Sequence, residues 1–277
     1  MTILNSIKPE EVIQFQHAVW DYYRKNKRSM PWRAEPTPYY VLVSEMMLQQ
    51  TQVTRVLVKF AAFIRRFPTV DDLATAKLRD VIESWSGLGY NRRAKFLWES
   101  AQVIARDFKS EVPKTQEELI GLPGIGPNTA GAILAYAYNE PAVFIETNIR
   151  SVYIHHFFSS HNHTVDDVEL RDIIAATVPR ESPREWYWAL MDYGTHIKTT
   201  IGGQLHRVKN YQPQGVFEGS RRQVRGQVLK ELLAHKELSE EELAGLILDD
   251  RLHGVCETLI SEGLIARRGD RLHLTES

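Results

Sequence analysis

The chain has 277 residues, a hydrophobic share of 43%, a charged share of 25% and a formal net charge of −1. These values are typical of a globular protein with one large or two modest domains. They argue against a protein that is basic throughout, although local charge can still attract a polyanion. The one cysteine, Cys256, excludes a disulfide framework and a cysteine-rich metal site. No apolar run resembles a signal peptide or reaches eighteen residues, so we expect a reducing compartment.

Helical periodicity dominates the chain up to about residue 210. The predicted helices of this region cover residues 41–67, 71–85, 91–108, 115–120, 128–138, 148–158 and 184–195. Pro68 ends the first of them. Thr115 and Glu118 have capping-box spacing, which predicts that a helix begins there.

The character of the sequence changes at residues 211–218, a short segment with Gln212-Pro213-Gln214-Gly215 that is predicted to be a linker. Three helices are predicted beyond it, at residues 221–235, 239–248 and 250–262. Residues 264–274 alternate around an Arg-Gly-Asp turn, which indicates a β-hairpin. Three helices and a hairpin predict a winged helix, although any small helical module with a hairpin would give the same pattern.

A glycine-rich turn lies between two predicted helices at residues 122–130, LPGIGPNTA. Gly124 and Gly126 can adopt backbone angles closed to other residues, and they let a ligand approach the main chain. The amide groups of such a turn and the start of the next helix point at one place, which suits a phosphate. A glycine-rich helix turn that binds nothing would have the same spacing.

This turn, followed by residues 129–134 (TAGAIL), resembles the hairpin of the helix-hairpin-helix superfamily of DNA glycosylases. Other family motifs follow the same order, namely Pro31-Trp32, 44–53 (SEMMLQQTQV), 67–70 (FPTV) and 87–90 (GLGY). The motifs are most similar to those of MutY-type adenine DNA glycosylases, which remove adenine mispaired with guanine or 8-oxoguanine. The resemblance covers residues 28–196. It implies an all-α, two-lobe enzyme that flips a base out of duplex DNA.

Breaking an N-glycosidic bond calls for a proton on the leaving base and a negative charge near the sugar. Glu45 lies in the apolar run 41–48 (VLVSEMML). Apolar surroundings would raise its pKa and keep it protonated as a general acid. Glu45, Gln49 and Gln52 would otherwise form a polar stripe on a solvated face. The resemblance favours catalysis, because Glu45 falls where the family has the acid that protonates the departing base.

The second carboxylate is predicted at Glu146, within residues 144–150 (FIETNIR). The family has an aspartate there that stabilises the sugar cation, and a glutamate carries its charge about 1.5 Å further along the chain. A shift of that size costs on the order of a hundredfold in rate. Glu146 therefore acts from a shifted backbone, serves a different substrate, or only complements a helix N-terminus.

Several side chains are predicted to contact DNA. Gln50 resembles the family's wedge residue and Tyr90 its intercalating aromatic residue, although Tyr90 would also suit the core of a tight turn. Arg92, Arg93 and Lys95 would hold phosphates or form a solvated helix face. The predicted DNA-binding residues are Gln49, Gln50, Thr51, Tyr90, Arg92, Arg93, Leu122, Gly124, Gly126, Asn128, Thr129 and Asn148.

Three features depart from the family pattern. Asn128 stands where strand-nicking members have a Schiff-base lysine, which implies a monofunctional hydrolase without strong lyase activity. Lys198 stands where MutY-type enzymes have the first of four cysteines, and the single thiolate of Cys256 cannot hold an iron–sulfur cluster, so no cofactor is expected. The last sixty residues resemble a winged helix and not the Nudix-like domain that reads 8-oxoguanine.

The C-terminal segment 218–277 has nine Lys/Arg and twelve Asp/Glu residues. Its arginine clusters are Arg221, Arg222 and Arg225, and Arg267, Arg268 and Arg271. Arginines at the wing would either enter a minor groove or serve a protein contact or the structure. Four histidines lie close together in the sequence: His155, His156, His161 and His163. Their spacing does not match a regular pattern of metal ligands. No metal is expected from side chains, and the hairpin backbone leaves room only for a monovalent cation.

The chain is predicted to comprise a six-helix lobe with the hairpin (30–140), a second helical lobe (1–29 and 141–210), a linker (211–218) and a winged helix (219–277). The target base is expected in a cleft between Glu45 and Glu146. The predicted reaction is hydrolytic removal of adenine opposite guanine or 8-oxoguanine, by a monomeric, cytoplasmic, nucleoid-associated enzyme. Thymine or uracil opposite guanine, or hypoxanthine, is the alternative target. A DNA-structure-binding protein that has lost catalysis is the alternative of another class.

Overall fold

The computed structural model describes residues 7–159, 164–202, 207–209 and 215–276. The chain forms two compact units, the first comprising Met1–Val41, Lys114–Gly121 and Ile125–Pro213, and the second Leu42–Pro113, Leu122–Gly124 and Gln214–Ser277. The domain boundaries given above stay a prediction. None of the helices in the described ranges combines the length and the apolar character needed to cross a membrane.

The described ranges are mainly helical, with one small sheet, as predicted. In chain order the elements are α1 (Pro9–Asn26), α2 (Pro31–Ala34), α3 (Pro38–Leu48), α4 (Val53–Arg66), α5 (Val70–Ala74), α6 (Leu78–Trp85), α7 (Arg92–Asp107), α8 (Gln116–Ile120), α9 (Pro127–Tyr138), α10 (Thr147–Phe157), α11 (Asp167–Thr177), α12 (Pro183–Thr200), α13 (Arg221–His235), β1 (Glu237–Ser239), α14 (Glu240–Leu246), α15 (Leu252–Ser261), β2 (Ile265–Arg268) and β3 (Arg271–Leu274).

The core of the first unit joins α1, α10 and α12. Phe15 of α1 packs against Tyr153 of α10 and Trp186 of α12, with ring centroids 5.0 and 5.5 Å apart. The buried carboxylate of Asp192, also on α12, accepts hydrogen bonds from Arg28 and Arg33 at 2.7 and 2.9 Å. A buried ion pair of this kind is costly to break because the remaining charge loses its partner. These ion pairs fix the position of α12, which packs against α10.

Two helices predicted in the second unit are each broken in the structure. The predicted helix 41–67 is interrupted between α3 and α4, where Gln50 adopts a left-handed backbone with a φ of 53°. The predicted helix 71–85 is interrupted between α5 and α6. There the Thr75 hydroxyl donates to the Asp71 carbonyl at 2.7 Å, and Trp98 of α7 donates to the Ala76 carbonyl at 2.9 Å. Side chains thus take carbonyl groups that a continuous helix would use.

The C-terminal part of the second unit is a small α+β module with the predicted three helices and hairpin. The hairpin turns at Gly269, whose φ is 64°, and Ser239 and Glu242 form a capping box at the start of α14. The sequence missed β1, which pairs with β3 so that the strand order is β1-β3-β2, antiparallel throughout. A strand of three residues is too short to show an alternating pattern.

Candidate active site

Glu45 lies in the most apolar helix segment of the second unit. It is 8% exposed, and its neighbours Ser44 and Met46 are fully buried. Residues 41–47 of α3 are in fact all buried, so this helix has no solvated face over that stretch. The polar-stripe alternative is therefore wrong for Glu45, whose side chain is buried with the rest of this helix segment. Its role as the general acid stays a prediction.

The turn after α3 is built around the guanidinium group of Arg93. Arg93 donates to two carbonyl groups in the last turn of α3 at 2.8 and 2.9 Å, and to the Gln49 carbonyl at 2.6 Å. It also donates to Thr51 Oγ1 at 2.9 Å and to the Gly89 carbonyl at 3.0 Å. Burial lowers the pKa of Arg93 to about 10, so the guanidinium group stays charged at neutral pH. Because its donors are occupied, the phosphate contact predicted for Arg93 is wrong, and Thr51 likewise serves the turn.

Gln50 and Tyr90, the predicted wedge and intercalating residues, both have left-handed backbones, with φ of 53° and 48°. Non-glycine residues in this region carry strain that the surrounding structure has to hold. Gln50 is exposed, and the ring of Tyr90 lies 5.5 Å from the guanidinium of Arg93 and 5.2 Å from that of Arg222. Arg92 is exposed. These residues line one cavity, so the second unit brings them together.

The first glycine of the hairpin is required by both its backbone and its surroundings. Gly124 has a φ of 75°, and a Cβ there would lie 2.8 Å from Phe96 Cβ and 3.0 Å from Met46 Cε. The carbonyl group of Gly124 accepts a hydrogen bond from Gln49 Nε2 at 3.4 Å. Gln49 is therefore tied to the hairpin through a side chain that was predicted to contact DNA.

The second glycine of the hairpin behaves differently from the prediction. Gly126 has a φ of −95° and caps the N-terminus of α9, so it does not use the backbone freedom expected of it. A Cβ at Gly126 would meet open space. Leu122 is buried, which leaves only its backbone for a ligand. Thr129 lies in the first turn of α9, whose amide groups suit an anion.

Glu146 lies in the first unit at the N-cap of α10, and α9 holds the segment that precedes it. Asn128 Oδ1 accepts a hydrogen bond from the Ile145 amide at 3.2 Å. Gly131 lets α9 approach closely, because a Cβ there would lie 2.9 Å from Phe144 Cβ. The side chain of Asn128 thus positions the residue next to Glu146. Its predicted DNA contact stays a prediction.

Helix α12 holds the same segment from the other end. A Cβ at Gly194 would lie 2.4 Å from the Asn148 carbonyl oxygen, so only glycine permits this approach. The Asn148 side chain donates to Thr195 Oγ1 at 3.4 Å and accepts from Lys198 Nζ at 3.2 Å. Sequence reasoning missed both Gly131, which lies in the quoted motif 129–134, and Gly194. The DNA contact predicted for Asn148 stays a prediction.

The pKa of Glu146 is raised above the usual value of a glutamate. Part of the residue reaches the surface, yet burial of its carboxyl group raises the pKa of Glu146 to about 7. The ionised and protonated forms are therefore both populated at neutral pH. The N-terminal end of α10 favours the ionised form, since its amide groups carry partial positive charge.

An iron–sulfur cluster does not fit the donors that this chain offers. Lys198 occupies the place that the resemblance gives to the first cysteine, and its ammonium group binds Asn148. Burial lowers the pKa of Lys198. Cys256 is buried on α15, in the other unit. One thiolate cannot replace four.

Two further groups of possible metal ligands make other contacts in the described residues. Glu240, His253 and Glu257 come close enough together to bind an ion, but Arg267 already donates to both carboxylates at 3.0 and 2.8 Å. In the histidine group, His156 contacts the Tyr193 hydroxyl at 3.2 Å. His161 and His163 lie outside the described residues.

Comparison with known proteins agrees with this geometry. The family described as HhH-GPD superfamily base excision DNA repair protein matches residues 43–172. An adenine DNA glycosylase from Mycobacterium tuberculosis (strain ATCC 25618 / H37Rv) is 34% identical over 272 residues, which cover 90% of this chain and 89% of that protein. The chain belongs to the HhH-GPD superfamily of DNA glycosylases.

Two further proteins are similar to this chain. An adenine DNA glycosylase from Mycolicibacterium smegmatis is 36% identical over 196 residues, which cover 70% of this chain and 64% of that protein. The solved structure of a thermostable thymine-DNA glycosylase aligns with a TM-score of 0.63 at 23% identity, over 71% of this chain and 92% of that chain. The second match shows the fold alone. The predicted family, fold class and enzyme class are confirmed.

Proposed function

We propose that this DNA glycosylase hydrolyses the N-glycosidic bond of adenine mispaired with guanine or 8-oxoguanine. The observation that carries the proposal is the 34% identity to an adenine DNA glycosylase along nearly the whole of both chains. The two carboxyl groups support it, because Glu45 is buried on α3 and Glu146 titrates near neutrality at the start of α10. We further propose a monomer that acts without a cofactor in the cytoplasm, at the nucleoid.

Glu45 supplies the proton in the proposed mechanism. The carboxylic acid donates its proton to a ring nitrogen of the flipped adenine, so that the base departs as a neutral molecule. The bond between the base and the sugar C1′ breaks, and its electron pair goes to the base. A buried carboxyl group suits this step, because exclusion of water strengthens each electrostatic interaction in the site.

Glu146 supplies negative charge at the sugar. Its carboxylate stabilises the oxocarbenium-like cation while the bond breaks. A water molecule then adds to C1′ and loses one proton, which restores the carboxyl group of Glu45. The products are free adenine and an abasic site with a hydroxyl group on C1′. Asn128 offers no amine for a Schiff base at the position where the family's strand-nicking members have a lysine. The strand therefore stays intact until it is treated with alkali.

Single-turnover incubation with a panel of duplexes tests the proposal. Each duplex carries one candidate pair: adenine opposite guanine or 8-oxoguanine, thymine or uracil opposite guanine, or hypoxanthine opposite thymine. We expect free adenine and alkali-dependent strand breaks from the first two. Release of thymine, uracil or hypoxanthine in preference to adenine would contradict the proposed substrate.

Two variants test the mechanism in the same assay. Glu45→Gln and Glu146→Gln should both lose activity while they still bind the duplex. If both variants cleave the N-glycosidic bond as fast as the wild type, the mechanism is wrong. Strand breaks without alkali would contradict hydrolysis by water. Tight binding without release of any base by the wild type would identify the non-catalytic DNA-binding protein.

A further inference from the structure

A cavity of about 850 Å³ lies within the second unit, where helix α13 of the C-terminal module adjoins residues 86–96. Its volume is in the range of about 300–1,000 Å³ typical of ligand-binding sites. Gln50 and Tyr90 line it, as do Arg222 and Lys230 of α13. The C-terminal module therefore shares a cavity with the residues that were predicted to enter DNA.

The lining of this cavity is strongly basic. Seven cationic residues contribute to it: Arg55, Arg92, Arg93, Arg221, Arg222, Arg225 and Lys230. Among its described lining residues the acidic one is Glu262, which forms an ion pair with Arg225. Such a concentration of positive charge in a chain with a net charge of −1 marks an anion site.

Some of these cations are fully available to a ligand. Within the part of the chain that the structure describes, the side chains of Arg55 and Lys230 make no hydrogen bond or ion pair. Both are exposed at the edge of the cavity, on α4 and α13 respectively. Arg222 donates to the Tyr90 hydroxyl and to the Gly215 carbonyl, which keeps its charge beside the Tyr90 ring.

The arginines of the wing show the opposite arrangement. Arg267 binds Glu240 and Glu257, Arg268 binds Glu237 at 2.9 Å, and Arg271 binds Glu242. Each wing arginine thus has a carboxylate partner on its own module. These ion pairs offset part of the positive charge that a wing in a minor groove would present.

We propose that the C-terminal module binds the phosphodiester backbone of one DNA strand through α13 at this cavity, and not through its wing. The inference rests on the proposed function for the presence of DNA at Gln50 and Tyr90. Because these two residues line the same cavity, DNA that contacts them brings phosphates next to α13. Arg55 and Lys230 would form phosphate contacts, which position the strand without reading its sequence.

Equilibrium binding at several salt concentrations tests the proposal. Fluorescence anisotropy would measure how the full-length protein binds a labelled duplex that contains adenine opposite 8-oxoguanine. The parent protein carries Glu45→Gln, so that it binds this duplex without releasing adenine. Arg55→Gln and Lys230→Gln are introduced singly and together. Each single change should weaken binding about three- to tenfold and make the negative slope of log K against log[salt] shallower by about 1. The double variant should make that slope shallower by about 2.

Matched controls lie on or beside the same helices. Arg65→Gln is on α4, and Lys236→Gln directly follows α13; both remove one exposed positive charge that is not part of the cavity. Arg268→Gln removes a wing charge. All three should bind DNA within about twofold of the parent protein, with an unchanged salt slope.

The outcomes separate this proposal from the proposed function. If Lys230→Gln binds as tightly as the controls, or if Arg268→Gln alone weakens binding, the proposal is wrong, even if the wild type releases adenine normally. If the wild type releases no adenine but Lys230→Gln still loses DNA binding, α13 is a DNA contact and only the assigned reaction fails.

Discussion

Glu45 and Glu146 are both candidate catalytic carboxyl groups, but the fold holds them in different ways. Glu45 lies inside a helix whose residues 41–47 are all buried, so its direction is fixed by its own helix. Glu146 precedes its helix, and its position depends on contacts that α9 and α12 make with the residues on either side of it. One carboxyl group is placed by local structure and the other by tertiary packing.

This difference changes what a mutation can reveal. Substitutions at a distance should leave the neighbourhood of Glu45 largely intact, since the helix and the apolar residues around it set that neighbourhood. The same kind of substitution near α9 or α12 should displace Glu146 without touching it. Four substitutions sharpen the contrast, beginning with the one whose effect should be largest.

Replacing Glu45 by glutamine should remove the proton donor and preserve the shape of the side chain. We expect single-turnover adenine release to fall about a thousandfold, because general acid catalysis contributes on the order of 10²–10⁴ in rate. The melting temperature and the affinity for duplex DNA should stay near the wild-type values. Glu99→Gln, a half-buried glutamate of α7 in the same unit, is the matched control. A fall of less than tenfold would rule out Glu45 as the acid.

Replacing Glu146 by glutamine should cost several hundredfold, on the order of the 10²–10³ that one electrostatic stabiliser contributes. The wild type should also lose activity as the pH falls below 7, because protonation near a pKa of about 7 neutralises the group that stabilises the cation. This dependence should be missing in the variant. Rates measured from pH 5.5 to pH 8.5 check both points.

Two results would contradict this account of Glu146. The first is a wild-type rate that does not change between pH 5.5 and pH 7.5. The second is an equal loss in Glu140→Gln, which changes an exposed glutamate six residues earlier in the same unit. Either result would mean that Glu146 occupies the N-cap position of α10 without a catalytic role.

Replacing Gly194 by alanine should displace the segment around Glu146. The added Cβ would lie 2.4 Å from the Asn148 carbonyl oxygen, so α10 has to move. A movement of about 1 Å costs up to about a hundredfold in rate, and we expect a loss of about thirtyfold. Gly245→Ala in α14, where a Cβ meets open space, should not lower activity. Wild-type rates in Gly194→Ala would show that this packing does not position Glu146.

Replacing Asn128 by alanine should have the smallest effect of the four. It removes one hydrogen bond to the Ile145 amide and leaves the packing of Gly131 in place. We expect about a fivefold loss in rate, because one hydrogen bond contributes about 1 kcal/mol. Asn128→Asp keeps an acceptor oxygen at the same distance along the side chain and should recover much of the activity. Equal losses in the two variants would argue against a role for the acceptor.

Much of the secondary structure could be predicted from local pattern alone. Helices α7 and α13 have nearly the predicted bounds, because apolar spacing and helix-forming residues agree along their length. The C-terminal hairpin was found from alternation around a single glycine turn. Glu45 was found because an acidic residue in an apolar run is unusual, and the resemblance gave it a role.

The break between α3 and α4, in contrast, could not be predicted from the residues near it in the sequence. Residues 41–67 have helical spacing throughout, and the interruption is fixed by Arg93, which reaches the Gln49 carbonyl from 44 residues further along the chain. The same applies to Arg222, which brings the charge of the C-terminal module to Tyr90 across 132 residues. Neither contact leaves a periodic signal.

By itself, the sequence predicted most of the helices and the place of the glycine turn, because these depend on backbone preferences and on apolar spacing within about ten residues. The two candidate catalytic acids came from the resemblance to the family, which gave Glu45 and Glu146 their roles. The tertiary structure alone decided where α3 ends, how closely α9 and α12 hold the Glu146 segment and which arginines remain without carboxylate partners. These depend on atoms that come together only after folding, because a hydrogen bond or a close contact is set by distance in space and not along the chain.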